Sequence, residues 1–419
     1  MPRLPFDPAR LPPSALLRWA VAVAAAIGAY DVLTIVLFLS GGPLIGPPRW
    51  VLFPDFLVFH AGARTVLEGH PTTAYGFDSF IAYFNTVFAD RLPMYVGYRP
   101  YLYPPTWLLL STPLGLAPVA VSFGLFMALS AGLVAWFVCR RNWIVGLLVL
   151  SSPAALWTMV SGQNSFLNAA LFYGGFWLVV AHRPVLGGIL LGLIACKPQL
   201  WVLVPVVLLA GGQGRALLAT LATATLLALA SLAVLGPGTW LAYLDLAREA
   251  SSARRIDGMF ETAGNYMTTV LAGARIVGLS STTALILHLA VAACATAAAW
   301  AVARHRPWTE AHVAAFAAAT LLISPYNINY DMLLVMPGAA LLFRQRVLEG
   351  RLLPFEPIYL LGLWLIPNLL IRFNQHHLPV TPALVAVLLG LAWLTVRAPA
   401  DRDTTRMGAS GLRTAPPAA

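Results

Sequence analysis

Charged residues are the scarcest feature of this sequence. Asp, Glu, Lys and Arg together make up 10% of its 419 residues, whereas apolar residues make up 59%. A soluble globular domain usually has about 25% charged residues. With a mean hydropathy of +0.77, the chain has too few charges to cover a soluble globule with a hydrated surface. The composition therefore predicts a membrane protein, with lipid as the solvent for much of its exterior.

Lysine is almost absent, since Lys197 is the only one, and the formal net charge of +10 comes from arginine. Nucleic-acid binding needs basic residues gathered on a soluble face. Here the arginines stand between apolar runs, so we expect no nucleic-acid partner. Short arginine-containing loops are typical of the cytoplasmic side of a membrane. They place both termini in the cytoplasm, and they lie at residues 140–141, 183, 215, 304–306 and 344–351.

Cysteine is also rare. Cys139, Cys196 and Cys294 lie inside or at the end of apolar runs and have neither a CxxC spacing nor an even number. This excludes a disulfide framework and a thiol metal site, and no cofactor is predicted. The first apolar run, residues 16–40, is too long for the core of a cleavable signal. It is interpreted as a first membrane-spanning helix.

Long apolar runs dominate what remains. We predict an all-α polytopic membrane protein with roughly 12 spans, several of them shorter than the about 20 residues that a lipid-facing helix needs. One domain covers residues 1–397, with outer loops at about 41–105 and 236–281, an interfacial helix at 240–253 and a disordered cytoplasmic tail at 398–419. The predicted spans are 16–40, 118–139, 143–160, 165–181, 185–196, 198–210, 215–235, 282–303, 309–324, 330–343, 354–371 and 379–396.

Two ionisable residues lie in apolar surroundings. Asp55 sits in Phe53-Pro-Asp-Phe-Leu-Val-Phe59, where it is either the cap of a helix or a base whose pKa is raised by desolvation. Lys197, within Cys196-Lys-Pro-Gln199, would cost about 2.5–3.5 kcal/mol if left unpaired at membrane depth. It is expected either to face a partner such as a lipid phosphate or to extend to the interface. The helix around it is either kinked at Pro198 or divided into two short spans.

Several uncharged polar groups on the predicted outer side have two interpretations each. Tyr103 belongs either to a sugar site or to the interfacial aromatic belt. Gln163 and Asn164 suit sugar hydroxyls, but they also suit a turn. Asp331 either favours a helix N-terminus or belongs to a site. His376-His377 has no third ligand placed by the sequence, so it is weak evidence for a metal.

Taken in order, these segments resemble the family 87 glycosyltransferases, which are membrane enzymes of the GT-C class that include polyprenol-phosphate-mannose-dependent mannosyltransferases. The resemblance extends to about residue 397. The motifs that carry it are Asp55-Phe56, Ala61–Arg64, Gly69–Pro71, Tyr103–Pro105, Gly162–Asn164, Lys197-Pro198, Gly264-Asn265, Ser324–Tyr326 and Tyr330-Asp331.

The resemblance implies a GT-C-type helical bundle and an inverting hexosyltransferase in the bacterial cytoplasmic membrane. It implies transfer of mannose or a similar sugar from a polyprenyl-phosphate donor to a lipid or glycan acceptor at the outer face. Asp55 would be the general base, and Lys197 would bind the donor phosphate with Arg99 in reserve. The expected sugar or acceptor contacts are Tyr103, Gln163, Asn164, Asn265, Tyr326 and Tyr330.

One segment departs from the pattern of actinobacterial mannosyltransferases of this family. Those enzymes tend to have Ser-x-x-Ser-Trp and a histidine pair where this chain has Ser324-Pro-Tyr-Asn-Ile-Asn-Tyr-Asp331. Tyr330 thus replaces a histidine, and the resemblance indicates the reaction class rather than the sugar. The alternative function is a transporter or flippase of a lipid-linked sugar precursor, which would need polar residues at mid-membrane.

Overall fold

The computed structural model describes residues 53–89, 100–139, 142–250, 260 and 263–397, together with eight positions before residue 53. Apart from a hairpin of two-residue strands, β1 (Ile45–Gly46) and β2 (Trp50–Val51), the elements of these residues are helical. The all-α prediction is confirmed to this extent. The predicted tail and nearly all of the first predicted span lie outside the described residues.

The first half of the described chain forms nine α-helices. They are α1 (Pro54–Leu67), α2 (Phe77–Val87), α3 (Pro105–Ser111), α4 (Val119–Cys139), α5 (Trp143–Leu150), α6 (Pro153–Ser161), α7 (Ser165–Val180), α8 (Pro184–Leu193) and α9 (Pro198–Trp201). The later ones are α10 (Leu203–Ala210), α11 (Gly214–Leu235), α12 (Pro237–Ala250), α13 (Val270–Ile276), α14 (Ser281–Arg304), α15 (Glu310–Ile323), α16 (Met336–Leu348), α17 (Glu356–Gln375) and α18 (Thr381–Arg397). Short 3-10 helices are Pro71–Tyr75, Thr112–Gly115, Ile194–Cys196, Gly264–Tyr266 and Asn329–Leu334.

Four described helices are long and apolar enough to cross a membrane: Val119–Val138, Gly214–Leu235, Ser281–Arg304 and Glu356–Gln375. The pair α5 and α6, bent by 52°, raises the number to five if it forms one span. Five further apolar helices have only 10–17 residues. The predicted boundaries agree closely with these helices, but the predicted number of 12 spans is not confirmed, because the short helices do not reach the length that lipid requires.

The chain breaks at Lys197. Helix α8 passes into a 3-10 turn, and Pro198 begins α9 as its first residue. Lys197 has φ −126° and ψ 78°, which is outside the helical region, because a proline disfavours helical geometry in the residue before it. Of the two predicted arrangements, the described chain has two short apolar helices, Pro184–Cys196 and Pro198–Ala210.

The first predicted outer loop has more structure than its sequence suggested. It contains α1, α2 and a 3-10 helix, which bury a separate cluster of aromatic and aliphatic side chains. Phe56, Phe59, Phe80 and Phe84 are all within 1% of complete burial. The larger core lies among α4–α11 and α14–α18. The small cluster holds α1 in a fixed position, which matters because Asp55 lies in its first turn.

A buried ion pair joins the ends of α16, α17 and α18. The Arg346 guanidinium donates from Nε and Nη2 to the Glu356 carboxylate at 2.6–3.0 Å and from Nη1 to Thr395 Oγ1 at 3.0 Å. The side chains are 6% and 1% exposed. Removing one member of such a pair leaves an uncompensated buried charge.

Changing Glu356→Gln should therefore destabilise the protein by about 3–5 kcal/mol, seen as a lower melting temperature in detergent. Glu349→Gln is the matched control, because the Glu349–Arg351 pair is substantially exposed at 35% and 28%. Such pairs contribute roughly 0–1 kcal/mol. Equal melting temperatures for the two variants would contradict the stabilising role of the Arg346–Glu356 pair.

Candidate active site

Asp55 lies in the first turn of α1, directly after an unusual backbone conformation. Phe53 has φ 53° and ψ 44°, the left-handed region that non-glycine residues enter rarely and at a cost of about 1–3 kcal/mol. Its N–H donates to the Val160 carbonyl at 3.1 Å, and Pro54 then begins the helix. The end of α6 thus determines where α1 starts, and with it the position of Asp55.

Gly162 brings the end of α6 against this helix start. It has φ 70°, and its N–H and that of Gln163 bond to Met159 and Thr158, a glycine-dependent helix ending. A Cβ added to Gly162 would lie 2.4 Å from Phe56 Cβ. The turn needs glycine both for its conformation and for this close approach, and it directs Gln163 toward Asp55.

The Gln163 side chain bonds to four of the other predicted site residues. Its Nε2 donates to Asp55 Oδ2 at 3.1 Å and to Tyr330 Oη at 3.2 Å. Its Oε1 accepts from Tyr103 Oη at 2.7 Å and from the Asn164 N–H at 2.9 Å. Residues from four separate parts of the sequence therefore meet at one buried amide, which is 3% exposed.

Tyr103 acts as a donor in this cluster. Burial raises the pKa of its hydroxyl well above the usual range, and the negative charges of Asp331 and Asp55 raise that pKa further. The phenol consequently keeps its proton at any physiological pH and donates it to Gln163. The Tyr103 ring packs edge-on against Phe59 of α1, so its position also depends on the small aromatic cluster.

Lys197 forms a buried ion pair with Asp331. Its Nζ lies 2.6 Å from Asp331 Oδ1, and the two side chains are 3% and 2% exposed. The other carboxylate oxygen, Oδ2, accepts the Ile328 N–H at 3.1 Å. The ammonium also lies 5.6 Å from the ring centre of Tyr330, within cation–π range. The helix break at Lys197 is thus joined to the 3-10 helix Asn329–Leu334 beside the Gln163 amide.

The remaining predicted site residues differ in how deeply they are buried and in whether they join the cluster around Gln163. Asn164 is completely buried and accepts from Asn168 Nδ2 at 2.9 Å. Tyr326 is partly buried, and its proximity contributes to the raised pKa of the Tyr103 hydroxyl. Asn265 is exposed, and the contact it makes to Asn374 uses its backbone carbonyl. Arg99 lies outside the described residues.

Asp331 is a member of the cluster that sequence reasoning left undecided between a helix-end role and a site role. The sequence did indicate that Lys197 has an acidic partner, because a single buried lysine needs a counter-charge. Asp331 is separated from Lys197 by 134 positions, and other acidic residues lie nearer in sequence, so only the fold selects Asp331. Within the described residues, no group of three or more His, Cys, Asp or Glu side chains could hold a metal ion.

Residues beside some of the predicted cytoplasmic loops lie close together in another part of the described structure. Trp177, Thr309 and Arg344 line one cavity of about 380 Å³, and Gly211 packs against Trp308. The membrane side that each group faces remains a prediction.

These features define a helical membrane protein with a buried polar centre built around one carboxylate, one amide and one ion pair. The model of glycosyltransferase family 87 matches residues 101–325, which is more than half of the chain, and the protein belongs to that family. Searches of curated proteins and of solved structures found no match. The matched region contains Tyr103, Gln163, Asn164, Lys197 and Asn265, whereas Asp55 precedes it and Tyr330 and Asp331 follow it.

Changing Gly162→Ala should destabilise the protein, because the left-handed conformation alone costs roughly 1–2 kcal/mol with a Cβ and the added atom overlaps Phe56. We expect a lower melting temperature and a larger loss of transferase activity than stability alone explains, since Phe56 adjoins Asp55. Gly132→Ala, in α4, is the control because nothing lies within 4 Å of its added Cβ. Similar behaviour of the two variants would argue against the close contact.

The Lys197–Asp331 pair predicts a double-mutant result. Lys197→Met should cost about 3–5 kcal/mol of stability, because the buried Asp331 carboxylate loses its counter-charge. Lys197→Met combined with Asp331→Asn should melt at a higher temperature than Lys197→Met alone, since the amide oxygen can still accept the Ile328 N–H without a charge. Strictly additive losses in a thermal-melting cycle would show that the two side chains do not interact.

Proposed function

We propose that this glycosyltransferase moves a hexose from a polyprenyl-phosphate donor to a lipid or glycan acceptor, with inversion, at the outer face of the cytoplasmic membrane. The observation that carries the proposal is the polar cluster in which Gln163 donates to the Asp55 carboxylate and also bonds to the hydroxyls of Tyr103 and Tyr330. A family 87 match supports sugar transfer, and the apolar helices make a lipid-borne donor a natural substrate.

In the proposed reaction, the Asp55 carboxylate takes the proton from an acceptor hydroxyl. The acceptor oxygen forms a bond to the anomeric carbon of the sugar, and the bond from that carbon to the phosphate oxygen breaks. The polyprenyl phosphate leaves from the opposite face with the electron pair, so the configuration inverts. One carboxylate suffices, because a phosphate leaving group needs stabilisation of its charge more than a proton.

Lys197 is the proposed cation for the leaving phosphate. Among the described residues, its ammonium donates only to Asp331, so two of its three protons remain for phosphate oxygens. Asp331 already balances the charge of Lys197, and Asp55 adds a second negative charge. Binding of an anionic phosphate therefore calls for a further cation, and we propose an arginine of the first predicted outer loop, such as Arg99, for this role.

Tyr330 is proposed to contact the sugar. Its hydroxyl accepts from Gln163, and within the part of the chain that the structure describes no acceptor takes its own proton. A sugar hydroxyl beside Asp55 would complete this bond. We propose that the sugar site is lined by Tyr103, Asn164 and Tyr326. Asn265 would contact the substrate only through its exposed side chain. No observation favours the alternative of a transporter or flippase.

Changing Asp55→Asn should lower sugar transfer by about 10²–10⁴-fold, the usual contribution of a general base, while the protein remains folded in the membrane. The assay uses labelled polyprenyl-phosphate-mannose and polyprenyl-phosphate-glucose with vesicles from a host strain that lacks the gene. Asp245→Asn is the control, because Asp245 is 73% exposed on α12 and should leave transfer unchanged.

Near-full transfer by the Asp55→Asn variant would contradict the proposed base. Movement of the labelled donor across the vesicle membrane without any glycosylated acceptor would instead support the flippase alternative. Transfer that depends on Asp55, with the label found on an acceptor lipid or glycan, is the outcome expected from the proposed reaction.

A further inference from the structure

The Gln163 amide has no hydrogen-bonding capacity left for a substrate. A glutamine side chain offers two donors on nitrogen and two acceptor positions on oxygen. All four are engaged within the protein, with Asp55, Tyr330, Tyr103 and the Asn164 N–H. At 3% exposure, the amide is also closed off from bulk solvent. A direct contact from this side chain to a sugar would require one of these bonds to break.

The orientation of this amide is fixed by chemistry. The Asn164 backbone N–H can only donate, so the Gln163 atom that faces it must be the oxygen. The Tyr103 hydroxyl, which keeps its proton because burial and nearby carboxylates raise its pKa, donates to the same oxygen. The nitrogen must consequently face Asp55 and Tyr330. A rotated amide would place its N–H against another N–H, which excludes the reverse arrangement.

A neutral donor suits a carboxylate that must act as a base. A hydrogen bond to the charged form of a carboxyl group stabilises that form and orients it. An arginine or lysine in this position would do the same, but its full charge would weaken the base much more. The amide instead orients the Asp55 carboxylate without adding a full positive charge of its own.

We infer that Gln163 is a positioning residue that keeps the Asp55 carboxylate ionised and aimed at the acceptor hydroxyl, in place of the substrate contact that its sequence setting suggested. The inference rests on the proposed role of Asp55 as the base. It assigns the Gly162–Asn164 turn a part in the reaction, because this turn delivers both the amide and the N–H that orients it.

The test changes Gln163→Glu and measures kcat/KM for sugar transfer against pH. A second carboxylate next to Asp55 raises the pKa of the pair, because two neighbouring like charges disfavour ionisation. The ionised base then exists only at higher pH. The acidic limb of the profile should move by about one pH unit or more to higher pH, so transfer falls at least tenfold at the acidic end and recovers as the pH rises.

The matched control is Gln345→Glu. Gln345 also donates its amide to a carboxylate, Glu349 Oε1 at 2.8 Å, but it lines the cavity beside Arg344 and not the proposed site. The same substitution there should leave both the rate and the pH profile unchanged. A purely structural effect of adding a buried or half-buried carboxylate would not shift the acidic limb in a protein that remains folded.

Gln163→Met provides a second variant if the glutamate variant does not fold. It keeps a side chain of similar length without the four hydrogen bonds. We expect kcat to fall by about 10²-fold through loss of orientation, with KM for polyprenyl-phosphate-mannose and for the acceptor vesicles nearly unchanged. A raised KM at constant kcat would overturn the inference and return Gln163 to the substrate contacts.

An unshifted acidic limb in folded Gln163→Glu would also overturn the inference. Failure of the inference about Gln163 can be distinguished from failure of the proposed function. If Asp55→Asn is inactive while Gln163→Glu has the wild-type profile, only the role of Gln163 is wrong. If Asp55→Asn remains active, the assignment of the base itself is wrong.

Discussion

The charge of Lys197 has to be balanced inside an otherwise apolar helical region, and the described fold meets this need with Asp331. An unpaired lysine at membrane depth costs about 2.5–3.5 kcal/mol, whereas here the ammonium lies 2.6 Å from a carboxylate oxygen. The pair joins the break between two short helices to the 3-10 helix Asn329–Leu334. That connection places Tyr330 beside Gln163, and Gln163 beside Asp55. The polar centre thus depends on an ion pair between residues far apart in sequence.

A second constraint is the contact between Gly162 and Phe56. It brings the end of α6 within backbone bonding distance of the start of α1. Because the first predicted outer loop has its own aromatic cluster, α1 is supported on one side by that cluster and on the other by the Gly162 turn. The family match begins at Tyr101, so the helix that carries Asp55 joins the matched region through tertiary contacts.

Much of the fold could be predicted from hydropathy alone, because long apolar runs ended by Arg, Pro and Gly determine helix boundaries within a few residues. The number of spans could not be predicted in this way, since helices of 10–17 residues are apolar without being long enough for lipid.

Asp55, Tyr103, Gln163, Lys197 and Tyr330 were identified from the sequence as separate candidates, and the described fold brings them together. The ion pair between Lys197 and Asp331 and the four hydrogen bonds of the Gln163 amide depend on contacts between distant parts of the chain. No local sequence pattern predicts such contacts. Asn265 shows the opposite case. Its polar motif suggested a site residue, but its side chain is exposed and does not enter the cluster.

The most direct test of the central claim is a cryo-electron microscopy structure of the protein in lipid nanodiscs with polyprenyl-phosphate-mannose. The proposed reaction predicts density for the sugar beside Asp55 and Tyr330 and for the phosphate beside Lys197, with the polyprenyl chain leaving between apolar helices. Headgroup density at the opposite group of loops, in the cavity lined by Trp177 and Arg344, would contradict it.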